Sequence, residues 1–437
     1  MPISVQIKNN YTRLLYHELI LSQGCTEPAS IAYAGALCRA QLNLFPEHMK
    51  IACSENLFKN AKSAIIPNTD QLKGIAAACV CGAVCGENAS MKLEILETMT
   101  PERLFQVHSL LENGFCEVTL LNTPEKLHII AEAWAQGEHA LVEITHEHTH
   151  VARIEKNGLR LCSGDVVKEI KEINPEDVAL NPRDIYQFTE EAELTGRLGE
   201  LLRTQMEHNV AICAEGMQHK WGANIGKLIA DEHADTEKLA CAFAAAGSDA
   251  RMSGCAMPVV INSGSGNQGI TITAPIYIYA RALRASEERT LRALLLANLM
   301  SLYLKGMIGK LSAYCGAVSA GSAAGAGIAY LKGATAEQIA FAFANSAASI
   351  SGMLCDGAKP SCAAKIACSV YSGILAQKMA MSGNNFLSGD GIVGSTPECT
   401  IHNVGNLARN GFVEIDRLIL NTMYATLPKE ESCSAKG

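Results

Sequence analysis

Ala317-Val-Ser-Ala-Gly-Ser-Ala-Ala-Gly-Ala-Gly-Ile-Ala-Tyr-Leu331 is helical in spacing and carries few large side chains, and Ala336–Leu354 repeats the pattern. Alanine is the strongest helix former. Helices faced with Ala, Gly and Ser bring their backbones unusually close, which suits a rigid central site. Membrane helices share this small-residue pattern. Here Lys332, Glu337 and Lys359 interrupt the segments, and Leu, Ile and Phe are sparse. The stretch therefore reads as a helical core, and the chain keeps that character from about residue 185 onward.

Upstream the pattern changes twice. Residues 1–90 read as helical. Tyr11–Leu21 has apolar spacing of three and four, and Thr26 is placed to cap a helix with Pro28 in its first turn. Asn68-Thr69-Asp70 breaks the chain before an Ala-rich helix over 76–84. Residues 91–184 differ. Lys92–Glu97 alternates as a strand, Pro101–Glu112 is helical up to Asn113-Gly114, and Cys116–Leu121 is strand-like. Leu127–Trp134 and Ala140–His146 bracket a hairpin turn at Gln136-Gly137-Glu138, and Val151–Glu155 leads into the turn Lys156-Asn157-Gly158. The predicted class is α+β. A large Ala/Gly-rich, all-helical catalytic domain is formed by 1–90 and 185–437, with a small α+β domain inserted over 91–184.

The chain has 437 residues, 48% hydrophobic and 18% charged, with a net charge of −8 and no long run of either sign. That argues against a nucleic-acid surface or a polybasic membrane surface. Leu294–Leu304, the densest apolar stretch, is too short to span a bilayer. The N-terminus lacks the basic-then-apolar order of an export signal, so a cytoplasmic location is expected. The seventeen cysteines then read as reduced thiols or metal ligands. Those among small apolar neighbours, including Cys79, Cys81 and Cys85, read as core.

Cys355 and Cys362 lie seven residues apart around Gly357 and Pro360, ahead of a predicted helix over 361–381. Cys362 falls in its first turn, where a helix N-terminus favours a thiolate. Cys315 lies forty residues before Cys355, at a predicted helix end. Three thiolates are one short of the four that close an iron–sulfur cube, and a three-ligand cube leaves one iron for substrate. Cys25, in Gly24-Cys25-Thr26-Glu27-Pro28, precedes a helix start. That position is expected to lower its pKa and make it a base or nucleophile. Ser263–Gly269 matches Gly-x-Gly-x-x-Gly, but no second strand ending in an acid follows. The better reading is an anion cradle, with loop amides, Asn267 and Gln268 holding a carboxylate. His146, His148 and His150 alternate and read as a solvated strand face. Asp165 and Asp184 read as loop acids.

Ser22–Pro28, Ser263–Gly269, Cys315 and Gly352–Cys362 together resemble the L-cysteine desulfidase family, relatives of the iron–sulfur L-serine dehydratases, across almost the whole chain. The resemblance implies an oxygen-sensitive [4Fe-4S] cluster held by Cys315, Cys355 and Cys362, with Cys25 beside the substrate as the base. It implies substrate contacts from Thr26, Glu27, Ser263, Ser265, Asn267 and Gln268. Asp356 and Lys359 would meet the amino group or orient the cluster. The implied reaction turns L-cysteine into pyruvate, ammonia and hydrogen sulfide. Serine dehydratases space their last two ligand cysteines further apart, which favours cysteine over L-serine or another β-substituted amino acid. By analogy, Cys399 or Cys433 would reach the open iron. The expected partner is a small amino acid, with no nucleic acid and no membrane, and a homo-oligomer is left open. Two other readings stay on the page: an iron–sulfur redox sensor, and a pyridoxal-phosphate lyase using Lys227 or Lys359.

Overall fold

The computed structural model describes residues 3–162, 178–309 and 311–425. Asp165 and Cys433 lie outside the described residues. The chain opens with α1 (Val5–Glu18), β1 (Leu21–Gln23) and α2 (Thr26–Leu42). Next come β2 (His48–Ser54), α3 (Glu55–Ala61) and α4 (Ile75–Val84). Gly86–Thr98 is a 3₁₀ segment kinked at Lys92, in place of the strand expected over 92–97. Its apolar residues Leu93, Ile95 and Leu96 are all buried, so the spacing serves a tight helical turn.

α5 (Pro101–Glu112), β3 (Cys116–Leu121), β4 (His128–Ala135), β5 (Glu138–Thr145), β6 (Val151–Lys156) and β7 (Leu159–Cys162) follow. They build a six-stranded sheet in the order β3-β2-β4-β5-β6-β7. β2, drawn from a stretch whose composition reads as helical, is an inner strand, parallel to β3 and antiparallel to β4. It alternates at its start, with His48 exposed and Met49 buried, while Ile51, Ala52, Cys53 and Ser54 are all buried, as suits an inner strand covered on both faces. α2 and α4 share one apolar cluster with this sheet, in which Ile31, Ala34 and Cys38 meet Ile51, Ile129 and Val142. Cys79, Cys81 and Cys85 belong to the same cluster.

The remainder is almost entirely helical. α6 (Pro182–Glu191), α7 (Arg197–Gln218), α8 (Ile225–Ile229), α9 (Thr236–Met252) and β8 (Pro258–Val260) lead to α10 (Gly266–Leu283) and α11 (Glu287–Ile308). Then come α12 (Gly316–Leu331), α13 (Ala336–Ser349), α14 (Cys362–Met381), α15 (Pro397–Asn406) and α16 (Val413–Ala425). Asp184, read as a loop acid, sits in the first turn of α6 and accepts from Asn181 Nδ2 at 2.7 Å. α11 is longer than the apolar run suggested. Its 22 residues are long and apolar enough to cross a membrane, but the helix is mostly buried inside the protein. It packs against α6, α7, α10, α12 and α15.

Small residues set the central packing. A Cβ on Gly325 would stand 2.3 Å from the Gly373 carbonyl oxygen, so the backbones of α12 and α14 touch. β1 pairs antiparallel with β8, Leu21 opposite Val260 and Gln23 opposite Pro258. That ribbon fixes Cys25 relative to the loop that follows β8. The fold is α+β, with a mainly helical large part and a small mixed sheet, as the sequence predicts.

Candidate active site

Cys25 is the residue that caps α2. Gly24 before it has φ +65°, and a Cβ there would lie 2.3 Å from Pro67 Cγ, so only glycine fits the turn. Thr26 does not cap the helix. Its hydroxyl donates to the Gly264 carbonyl at 2.9 Å and to Glu27 Oε2 at 3.1 Å. Glu27 Oε1 accepts from Asn60 Nδ2 at 3.2 Å. The glycine loop is a tight turn closed by two backbone bonds between Asn262 and Ser265, at 3.1 and 3.2 Å. The Asn262 side chain anchors it from below, donating to Asn298 Oδ1 at 3.0 Å and accepting from Ser301 Oγ at 3.1 Å. α10 begins at Gly266, so the loop amides gather at the N-terminus of an 18-residue helix, where an anion is favoured.

The three cysteines sit on different devices. Cys315 caps α12, so it marks a helix start and not the helix end expected of it. Cys355 lies on a short antiparallel bridge, Tyr314 opposite Leu354, where its N–H donates to the Ala313 carbonyl at 2.6 Å and the Cys315 N–H donates to the Met353 carbonyl at 3.0 Å. Cys362 is the first residue of α14. Gly357, between them, has φ +93°, and a Cβ there would stand 2.4 Å from the Lys59 carbonyl oxygen.

These elements converge on one cavity. Of the expected site residues, Cys25, Thr26, Glu27, Ser263, Ser265, Asn267, Gln268, Cys315, Cys355 and Cys362 all line it. Asp356 and Lys359 do not. They form an ion pair with each other, and Asp356 also accepts from Lys365 Nζ at 2.5 Å.

The lining also includes Arg251, Lys305, Lys365 and His148, none of which the sequence places at the site. Arg251 Nη2 donates to the Gly24 carbonyl at 2.6 Å and Nη1 to Asn267 Oδ1 at 3.3 Å, so it bridges the Cys25 turn and the glycine loop. Lys365 donates to the Leu354 carbonyl at 2.7 Å. The expected face of three histidines does not form, because residues 146–150 are a turn between β5 and β6. His146 pairs with Glu125 at 3.1 Å, while His148 is buried at the cavity and its carbonyl accepts from Ser30 Oγ at 2.6 Å. Cys399 is exposed on α15 and is not among the lining residues. An alternating His-x-His-x-His run does not signal a turn, and single Arg and Lys residues in apolar helices carry no motif.

Electrostatics corrects one expectation. Burial pushes the Cys25 thiol up to about 12, with Arg251 pulling the other way. Desolvation outweighs the helix terminus here, so the thiol keeps its proton in this environment. Cys315 and Cys355 are in hydrogen-bonding contact, which holds the Cys355 thiol below its ordinary range and drives that of Cys315 up. The positive charge of Lys59 also favours the Cys355 thiolate. Burial brings Lys305 down to about 8, against the pull of Cys355 and Cys315.

The donor set suits an iron–sulfur cluster. It offers three thiols at one cavity, two of them in contact, with lysines around them to offset anionic charge. Among the described residues no three His, Cys, Asp or Glu side chains converge on a single metal ion. A cube does not ask for that, since each of its cysteines binds a different iron. Gln268 adds a buried acceptor, Oε1, that has no hydrogen-bond partner, and its amide lies against Gly316, next to Cys315.

A family described as serine dehydratase alpha chain matches residues 90–421. A UPF0597 protein of Lachnoclostridium phytofermentans is 44% identical over 411 residues, covering 94% of this chain and 98% of that protein. One from Desulfitobacterium hafniense is 42% identical over 415 residues, covering 94% and 96%. One from Finegoldia magna is 41% identical over 415 residues, covering 95% and 99%. The chain belongs to the serine dehydratase alpha-chain family, a family of lyases.

Proposed function

We propose that this chain is an iron–sulfur-dependent lyase that eliminates sulfide from L-cysteine, leaving aminoacrylate that water hydrolyses to pyruvate and ammonia, with hydrogen sulfide as the other product. The observation that carries the reading is the meeting of Cys25, the glycine loop and Cys315, Cys355 and Cys362 at one cavity. Those three thiolates would hold a [4Fe-4S] cluster, which supplies a Lewis-acidic iron when bound.

The chain's own residues do the rest. The glycine loop, with Asn267 and Gln268, receives the substrate carboxylate at the positive end of α10. Arg251 holds that loop to the turn of Cys25 and adds positive charge between them. Cys25 takes the Cα proton. Its own proton must leave first, and Arg251 is the neighbouring charge that favours the loss. Lys305 and Lys365 add further positive charge at the cavity for an anionic group. Asp356, Lys359 and Lys365 form a small ion-pair cluster that orients the loop between Cys355 and Cys362. Reduced thiols and an oxygen-sensitive cluster go with a cytoplasmic location.

The seven-residue step from Cys355 to Cys362 supports cysteine as substrate. The family match supports a second reading, L-serine dehydration on the same cluster. Protein purified anaerobically, analysed for iron and sulfide and assayed for pyruvate from both amino acids, tests the proposal. Brown protein that prefers L-cysteine is expected. Higher turnover of L-serine gives the second reading, and a colourless, fully active protein removes the cluster. Cys25→Ser keeps its iron and loses turnover, and an active Cys25→Ser variant reassigns the proton transfer.

A further inference from the structure

Cys25 is 3% exposed and Cys315 9%, so a substrate needs a passage to reach them. A second, larger cavity adjoins the first and shares Ser263, Lys305 and Leu311 with it. Its lining carries both signs of charge. Glu18, Glu125 and Glu147 supply acids, while Lys126, Lys305 and Arg409 supply bases. The acids are partly offset, since His17 pairs with Glu18 at 3.3 Å and with Glu147 at 3.2 Å. The bases run inward. Lys126 Nζ would lie 3.8 Å from a Cβ on Gly309, and the Gly309 carbonyl accepts from Lys305 Nζ at 2.7 Å. Lys126 borders only the outer cavity of the two, and Lys305 borders both.

We propose that this outer cleft is the entry chamber of the active site, in which a free α-amino acid docks as a zwitterion before passing Lys305 into the inner cavity. Carboxylate and ammonium each find an opposite charge in the lining, and a partly enclosed cleft focuses such fields. An apolar solute or a dianion gains less. The ligand class rests on the proposed reaction, whereas the route rests on the two cavities alone.

Gly306 gives the test. It lines the outer cavity, and a Cβ there meets nothing within 4 Å, so a large side chain enters open space. In the full chain purified anaerobically, Gly306→Trp is expected to lower kcat/KM for L-cysteine by about tenfold through slower entry, with iron content unchanged. In the same proteins after a chelator has removed the iron under argon, iodoacetamide alkylation of Cys25, Cys315, Cys355 and Cys362, located by peptide mass spectrometry, is expected to slow in step. Cys368 and Cys399, both exposed, should react as before and serve as internal controls. Lys126→Glu is expected to lower kcat/KM at low salt and less so at high salt. Unchanged alkylation of the pocket thiols in a Gly306→Trp protein with wild-type melting overturns the route. If the oligomeric state also shifts, the cleft is a face for a second copy of the chain, and the proposal is equally overturned. Slowed alkylation with no amino acid turned over upholds the route and sinks the reaction with its zwitterion. A Lys126→Glu variant with wild-type kinetics at every salt concentration overturns the charge selection.

Discussion

Replacing Gly373 by alanine probes the contact on which the cysteine geometry depends. A Cβ at Gly373 would stand 2.2 Å from the Gly321 carbonyl oxygen and 3.2 Å from the Gly325 nitrogen. Comfortable contact needs about 3.5 Å, so one helix must give by about 1.3 Å. The obstacle is backbone and has no rotamer to escape into. Overpacking a dense core costs about 1–3 kcal/mol, and a displacement of this size belongs at the upper end. Alanine recovers about 1 kcal/mol of helix propensity. The net expectation is a loss of about 2 kcal/mol. The same displacement parts Cys315, which caps α12, from Cys362, which begins α14, so iron retention should fall with stability. Gly306→Ala is the matched control, since open space around it leaves only the gain of about 0.4–1 kcal/mol. Denaturant midpoints and iron-to-chain ratios on anaerobic protein read out both quantities. A Gly373→Ala protein as stable as Gly306→Ala, with full iron, refutes the close approach of the two helices.

Three further outcomes are expected. Cys362→Ala should lose iron, and wild-type iron stoichiometry in that variant would show that the wrong ligand was chosen. Asp416→Ala strips the counter-charge from Lys59, whose side chain is 1% exposed, and the acceptor from the Ala313 N–H at 3.0 Å. Because Asp416 is itself 14% exposed, the cost should sit at the low end of the range for a broken buried pair, about 3 kcal/mol, and an unchanged unfolding midpoint counts against it. Glu147 and Glu18 raise the pKa of His17 to about 10 from 6.5. The folded-state value is the higher one, so this stabilisation is complete below pH 6.5 and is lost as pH rises towards 10. His17→Gln should flatten the stability profile over that window, and an unaltered profile rejects the ion-pair account.

Much of this molecule is written locally. The hairpin of β4 and β5, the helix Pro101–Glu112 and the small-residue packing of α12 on α14 all follow from periodicity, turn chemistry and side-chain size. The candidate cavity was legible wherever residues cluster in short motifs, as in Gly24–Pro28, Ser263–Gly269 and Cys355–Cys362. Other features stay hidden, these three among them. The strand β2 is too rich in Ala, Cys and Lys to stand apart from its helical neighbours. Arg251 and Lys305 enter from long helices with no motif around them, and only tertiary packing aims them at the cavity. The protonation of Cys25 depends on how completely the chain excludes water, which its helix-start position does not reveal.

α2 carries Cys25 at its head while its later turns are packed among the strands of the sheet. At about 1.5 Å per residue, its 17 residues make a rod of about 26 Å. A tilt of about 5° about the far end sweeps the tip through about 2 Å, more than the roughly 1 Å misplacement that costs about a hundredfold in rate. α2 thus works as a lever arm that rests on the sheet, and repacking beneath β4 or β5 shifts the position of the Cys25 thiol without touching any group at the cavity.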